Sequence, residues 1–465
     1  MKRIFFLHSL VCTSVLLFAS YYFLLGVSCV DYLYSLCVAT LILFIWILIS
    51  WQYVCGLFLN LYTIFIVSTA AFNCGQVFLE VFGLNSRGLL SGKFEANVLF
   101  ETVLFVLLGL SAVHLGALLR VSQNTDSLLG EEAKAENPRL YQFGTLLLLF
   151  SVVPTMIIIK QMFDIVLKSG YFALYTRDDQ IGLDNLLALM SNFFVPGILF
   201  TLAGSKSKPS AIRWTQIGIG LYGGMLILLG RRGDGAEAIL AYLIVFQYCI
   251  RSLNRKVLLS GVALMLVVVF PLIATIRNTD LAKRGDVNVM MNAYDSLNNP
   301  AALVIAEMGG SMQAISHTLV QVPKFRDYDW GASYLYSFFS IFPNFFWRIH
   351  PSVARGSPSV WLVKTVEPDI AALGGGLGYS YIAEAYLNFG WWGGALMLMF
   401  IGYAISSLVC WSQGSGNTLK IAAAATFFTS LVGFARADSQ SVMRPLFWYS
   451  LLPYFAVKWW QTRVT

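Results

Sequence analysis

Apolar residues fall in blocks at about 4–27, 32–50, 53–82, 98–120, 142–165, 185–204, 214–230, 236–250, 257–276, 385–411, 420–435 and 444–460. A helix that crosses a bilayer needs roughly 20 predominantly apolar residues. The pattern therefore predicts about twelve transmembrane helices. One polar interruption dominates the layout and divides the chain into an N-terminal bundle (1–276), a long loop (277–384) and a C-terminal group (385–465). About nine spans are expected before the loop and about three after it. The expected fold class is an all-α polytopic membrane protein with one long, partly helical outer loop.

Within the loop, Asn299-Pro300 offers an N-cap followed by proline at the first helical position. A 3.6 period then predicts a single helix to about Val320. Ala301, Val304, Ile305, Met308, Met312, Ile315 and Leu319 gather on one side, and Glu307, Gly310, Gln313 and His317 on the other. A carboxylate and an imidazole on one face are candidates for proton transfer. A plain solvated face is the alternative. After it come Trp330, Tyr334, Tyr336, Phe338, Phe339, Phe342, Phe345, Phe346 and Trp347. That density suits an interfacial helix or a surface on which sugar rings stack.

The composition agrees with a membrane protein: 57% hydrophobic, 12% charged, and a mean hydropathy of +0.69, outside the range of soluble domains. The formal charge of +7 is spread over short loops, so no nucleic-acid partner is expected. Lys2, Arg3, Arg120, Arg139, Arg251, Arg255, Lys420 and Lys458 fall at ends and alternate loops, which places both termini in the cytoplasm under the positive-inside rule. Seven cysteines lie in or beside apolar blocks, with no zinc-type spacing and none in the long loop.

That orientation leaves Arg231, Arg232, Arg277, Arg284, Arg436 and Arg444 on the outer side. The forked guanidinium group matches pyrophosphate and stays charged at any relevant pH, so these arginines are candidate binders of a phosphate-bearing lipid. Snorkelling to headgroups is the competing role. Glu384, at the start of a span, is a further candidate because ionisable residues at that depth are costly, although a helix N-terminus also welcomes a carboxylate. Asp327-Tyr328-Asp329 resembles a metal-binding DxD, but so short a pattern arises readily by chance, and a turn is expected. Gly374–Gly378 lacks the Lys-Ser/Thr of a phosphate loop.

Three segments, GRRGDG at Gly230–Gly235, AEMGGSMQAISHTLVQVP at Ala306–Pro323 and GYSYIAEAYLNFGWWGG at Gly378–Gly394, together with the hydropathy layout, resemble the O-antigen polymerase (Wzy) family. The resemblance implies a GT-C-type membrane glycosyltransferase of the bacterial inner membrane with its active site facing the periplasm. It implies undecaprenyl-pyrophosphate-linked oligosaccharides as donor and acceptor, a chain-length regulator as partner, and no metal or cofactor. It carries the family's arginines to Arg231, Arg232 and Arg277 as pyrophosphate binders and its loop histidine to His317; the acceptor hydroxyl needs a proton acceptor, and Glu307, His317 or Glu384 could serve. An O-antigen ligase would share these features. A lipid-linked oligosaccharide flippase would share the span number but has no use for so long an outer loop.

Overall fold

The computed structural model describes residues 1–26, 29–56, 60–85, 87–123, 137–174, 183–278, 299–342 and 347–463, and every regular element among them is helical. The first half comprises α1 (Lys2–Leu25), α2 (Leu33–Cys55), α3 (Leu61–Val81), α4 (Ala96–Gln123), α5 (Pro138–Ser169), α6 (Leu183–Ser191), α7 (Phe194–Ala203), α8 (Pro209–Leu228), α9 (Arg232–Val245), α10 (Arg255–Leu264) and α11 (Phe270–Asn278). The loop carries α12 (Pro300–Gly309), α13 (Met312–Gln321), α14 (Ala332–Phe339), α15 (Pro351–Arg355), α16 (Pro358–Val366) and α17 (Pro368–Ala372). The chain closes with α18 (Tyr381–Ser412), α19 (Thr418–Phe434), α20 (Gln440–Pro445) and α21 (Leu452–Arg463).

Among the described residues, nine helical stretches are long and apolar enough to cross a membrane. Of the further expected spans, α8 has 20 residues but dilutes its apolar side chains with glycine, and α19 has 17. The last expected span is the helical run from Gln440 to Arg463, interrupted by Pro445 and a π turn at Leu446–Leu451.

The core is built around α4, whose residues from Leu99 to Val121 are almost all buried. Its closest partner is α18. Gly116 and Gly402 sit where the two backbones touch, and a methyl group on either would collide with the carbonyl of Met399 or Val113. Small residues permit such close approach where a membrane offers helices no hydrophobic incentive to pair. Two histidines in the bundle are fully occupied by local bonds: His8 with Ser111 O and Trp46, His114 with Ser50 and Tyr62.

The loop is anchored to this bundle by main-chain contacts. Helix α18 breaks at Gly390 (φ 65°, ψ −153°), a conformation open essentially to glycine alone. The carbonyls of Leu387 and Asn388, just before the break, accept from the N–H groups of Asp329 and Trp330 at 3.0 and 3.1 Å. Asn388 Oδ1 accepts from Gly331 N at 2.9 Å.

The expected single helix from Pro300 to Val320 is two. It begins as the sequence indicates, with Asn299 Oδ1 accepting from Ala302 N at 3.0 Å. At Gly310 and Ser311, however, i to i−3 hydrogen bonds replace the α pattern. This tighter winding separates the two helices, and Glu307 and His317 meet different partners, Arg232 and Phe94.

Candidate active site

Helix α9 starts at the second arginine of the GRRGDG segment, with Arg231 at its N-cap. Adjacent helical positions diverge by about 100°, and the two guanidinium groups part accordingly. Arg231 turns along its own helix to Asp234 Oδ2, 2.5 Å away. Arg232 reaches across to the loop, where its Nη2 lies 2.6 Å from Glu307 Oε1, with the guanidinium 5.8 Å from the centroid of the Phe270 ring. The Arg232 side chain is 14% exposed, and its Nη1 is buried with no hydrogen-bond partner among the described residues.

Glu307 is held in place by the way α12 docks on α3. An added methyl on Gly75 would lie 2.8 Å from Ile305 O, and one on Gly309 would lie 2.6 Å from Gln76 N. Gln76 Nε2 donates to Ala306 O at 2.9 Å. Glycine at both positions lets the backbones touch, and the glutamate beside the contact points at α9.

Arg436 lies in the turn between α19 and α20. Its carbonyl accepts from Tyr379 N at 2.9 Å, and its guanidinium lies 5.8 Å from the Phe72 centroid. A methyl on Gly378 would meet Arg436 Nε at 2.9 Å and Ser311 Oγ at 3.2 Å, so Arg436 and the α12–α13 junction flank one glycine. The structure thus brings together Arg232 and Glu307, with Arg436 beside Ser311 at the α12–α13 junction. Arg444 is exposed on α20, near Tyr449. The backbone of Arg277 belongs to α11. Arg284 lies outside the described residues.

His317 is elsewhere, its ring edge-on to Phe94 with centroids 4.7 Å apart. Burial pushes the imidazole below its ordinary pKa, with Glu367 opposing the shift and Lys93 reinforcing it.

Glu384 is not at an accessible surface, as its position at the start of a span suggests. It is fully buried. Its Oε1 accepts from Ser333 Oγ and Ser439 Oγ, and its Oε2 from Ser439 N, all at 2.7 Å. With both oxygens engaged and the group fully buried, the carboxylate joins α14, α18 and the turn before α20. The burial is set by tertiary packing, which residue type and span position do not reveal.

Asp329 of the Asp-Tyr-Asp segment lies 2.7 Å from Arg326 Nη2 and 2.8 Å from Arg355 Nη2. A cation there would compete with two guanidinium groups.

Compared with protein families, residues 5–461 match the family model described as O-antigen polysaccharide polymerase Wzy. The chain belongs to this family. No curated protein and no solved structure matches it. Membership assigns this Wzy chain a general role in O-antigen polymerisation, and its apolar helices make it a multi-pass membrane protein. Residue type named Arg232 and Glu307 as candidates but not their pairing, nor the serines that bond Glu384. It also missed Glu237 on α9, although Asp234 and Glu237 at i, i+3 in an otherwise apolar helix were the available signal.

Proposed function

We propose that the protein joins polyprenyl-pyrophosphate-linked O-antigen repeat units on the periplasmic face of the inner membrane, with both termini cytoplasmic. A hydroxyl oxygen of the lipid-linked acceptor attacks the anomeric carbon of the donor. The bond from that carbon to the pyrophosphate oxygen breaks, and its electron pair leaves with polyprenyl pyrophosphate. The hydroxyl proton passes to Glu307.

The observation that carries this reading is the Arg232–Glu307 pair at 2.6 Å with Arg232 Nη1 buried and unpartnered among the described residues. A leaving pyrophosphate gains negative charge in the transition state, and preorganised donors in a partly dry site stabilise it at that moment. Arg232 offers its open N–H to the phosphate while keeping Glu307 oriented. As the phosphate draws on the guanidinium, Glu307 loses part of its stabilising partner and becomes the better proton acceptor. Arg436 supplies a second cation beside the same loop junction. Arg231, Arg277 and Arg284 are further binders of the pyrophosphate, and exposed Arg444 serves early capture of the anionic lipid. Glu384 acts as a positioning residue.

The test is the lipopolysaccharide ladder of cells lacking this gene, complemented with wild type, Arg232→Ala or Glu307→Gln at matched membrane levels. Core bearing a single repeat unit in the deletion, restored to a ladder by wild type and by neither variant, is the expected result. Bare core with long lipid-linked polymer in the deletion would instead identify a ligase.

A further inference from the structure

A half-open polar cavity of about 220 Å³ lies on another face of α9, between α7, α8, α19 and the π turn after α20. At about 30 Å³ of liquid per water, this is room for roughly seven waters, the scale of one sugar ring rather than of a lipid tail. We propose that this cavity is a subsite for a single pyranose ring of the acceptor glycan, whose hydroxyls donate to Glu237. The proposal rests on the polymerase reading above and adds to it a place for the neutral part of the substrate.

Glu237 is half-buried, and its side chain lines the cavity. Asp234 on the same wall is already paired with Arg231. No hydrogen bond or ion pair involves the Glu237 carboxylate among the described residues, and its Oε1 lies where a methyl on Gly433 would come within 3.3 Å. A carboxylate drawn partly out of solvent without hydrogen-bond donors is costly, and a ligand rich in hydroxyls supplies them as charge-assisted bonds.

The remaining walls suit the same guest. Asn192, Tyr222, Ser430 and Tyr449 offer neutral donors and acceptors, and Asn192 already bonds Tyr449 Oη at 3.1 Å. Val195, Pro196, Ala238 and Pro445 provide apolar surface of the kind that packs on the C–H faces of a pyranose. A few placed polar groups in an otherwise apolar recess are the usual form of a small-molecule site. Because Arg231 and Arg232 are neighbours in sequence, this recess and the Arg232–Glu307 pair are borne by the same turn of α9. A glycan in one would hold its lipid-linked partner near the other.

The probe is the lipid-free repeat-unit oligosaccharide, released by mild acid from the lipid-linked unit that accumulates in cells lacking this gene. Its binding to the full-length purified protein in lipid nanodiscs is measured by saturation-transfer NMR. Glu237→Gln should raise Kd by about ten-fold to a hundred-fold, the loss of one charge-assisted hydrogen bond. Ser430→Ala, a truncation that leaves the fold unstrained, should raise it by about three-fold or more. Arg232→Ala should leave it unchanged, because the probe carries no pyrophosphate. Wild-type protein that does not bind the probe overturns the proposal. So do folded Glu237→Gln or Ser430→Ala proteins with wild-type Kd, and so does unchanged binding in Ser430→Ala if Glu237→Gln does not fold. A Kd governed by sodium or potassium concentration would make Glu237 a cation site and overturn it as well. Failure of wild type to restore the lipopolysaccharide ladder would instead sink the polymerase reading itself.

Discussion

Arg232 and Glu307 meet at 2.6 Å although α10 and α11 intervene between them in the chain. The contact joins the end of the N-terminal bundle to the first described helix of the outer loop, and the chemistry is proposed to centre there. Replacing Arg232 by alanine should slow elongation by about 10²–10³-fold, the usual effect of losing one transition-state donor. Lysine should rescue little, because it lacks the fork that can hold Glu307 and phosphate together. The check is the initial rate of polymer formation by purified protein, and a near-normal rate in Arg232→Ala would remove the residue from the chemistry.

The placement of Glu307 depends on two glycines. Gly309→Ala puts a methyl 2.6 Å from Gln76 N, and such overpacking costs about 1–3 kcal/mol. We expect a lower Tm and a loss of elongation even though every polar side chain is intact. Gly261→Ala, whose methyl would have nothing within 4 Å, is the control and should change neither. Equal thermal melts for the two variants would contradict the docking role.

Glu384 ties three segments together, so its removal should act on stability. Alanine leaves the hydroxyls of Ser333 and Ser439 and the Ser439 amide without their acceptor. Each unsatisfied buried group costs about 1–3 kcal/mol. The expected result is a large fall in Tm for Glu384→Ala, with glutamine milder because its carbonyl still accepts. A Glu384→Ala protein with unchanged Tm but no activity would restore Glu384 to the chemistry.

His317 should make stability pH-dependent. Its pKa in the fold lies below the usual 6.5 because burial disfavours the cation. The unfolded chain therefore binds the proton more readily, and the contribution to stability is full above pH 6.5 and declines as pH falls below it. Thermal melts at pH 7.5 and 5.5 should differ more for wild type than for His317→Gln. Equal differences would show that the ring is not held neutral by the fold.

The sequence carried the gross architecture because bilayer-length apolar blocks admit few folds, and it carried the start of α12 because an Asn-Pro cap is a local signal. The break at Gly310 was hidden, since its backbone remains near helical values and only the hydrogen-bond spacing changes. Residue type marked Arg232 and Glu307 as candidates, whereas their meeting depends on the Gly75–Gly309 contact between distant segments. The same holds for Glu384, whose serine partners come from elements on either side of it, and for Glu237, which only the closure of α7, α8 and α19 around α9 turns into a lining group.

The break in α18 has a bearing on how such a loop can change over evolutionary time. Its Gly390 exposes two carbonyls, and the loop fastens to them through the amides of Asp329 and Trp330. Those two bonds are indifferent to side-chain identity. Trp330, 76% exposed, can therefore be exchanged while the backbone beneath it keeps its grip, so the attachment can persist as the surface residues change.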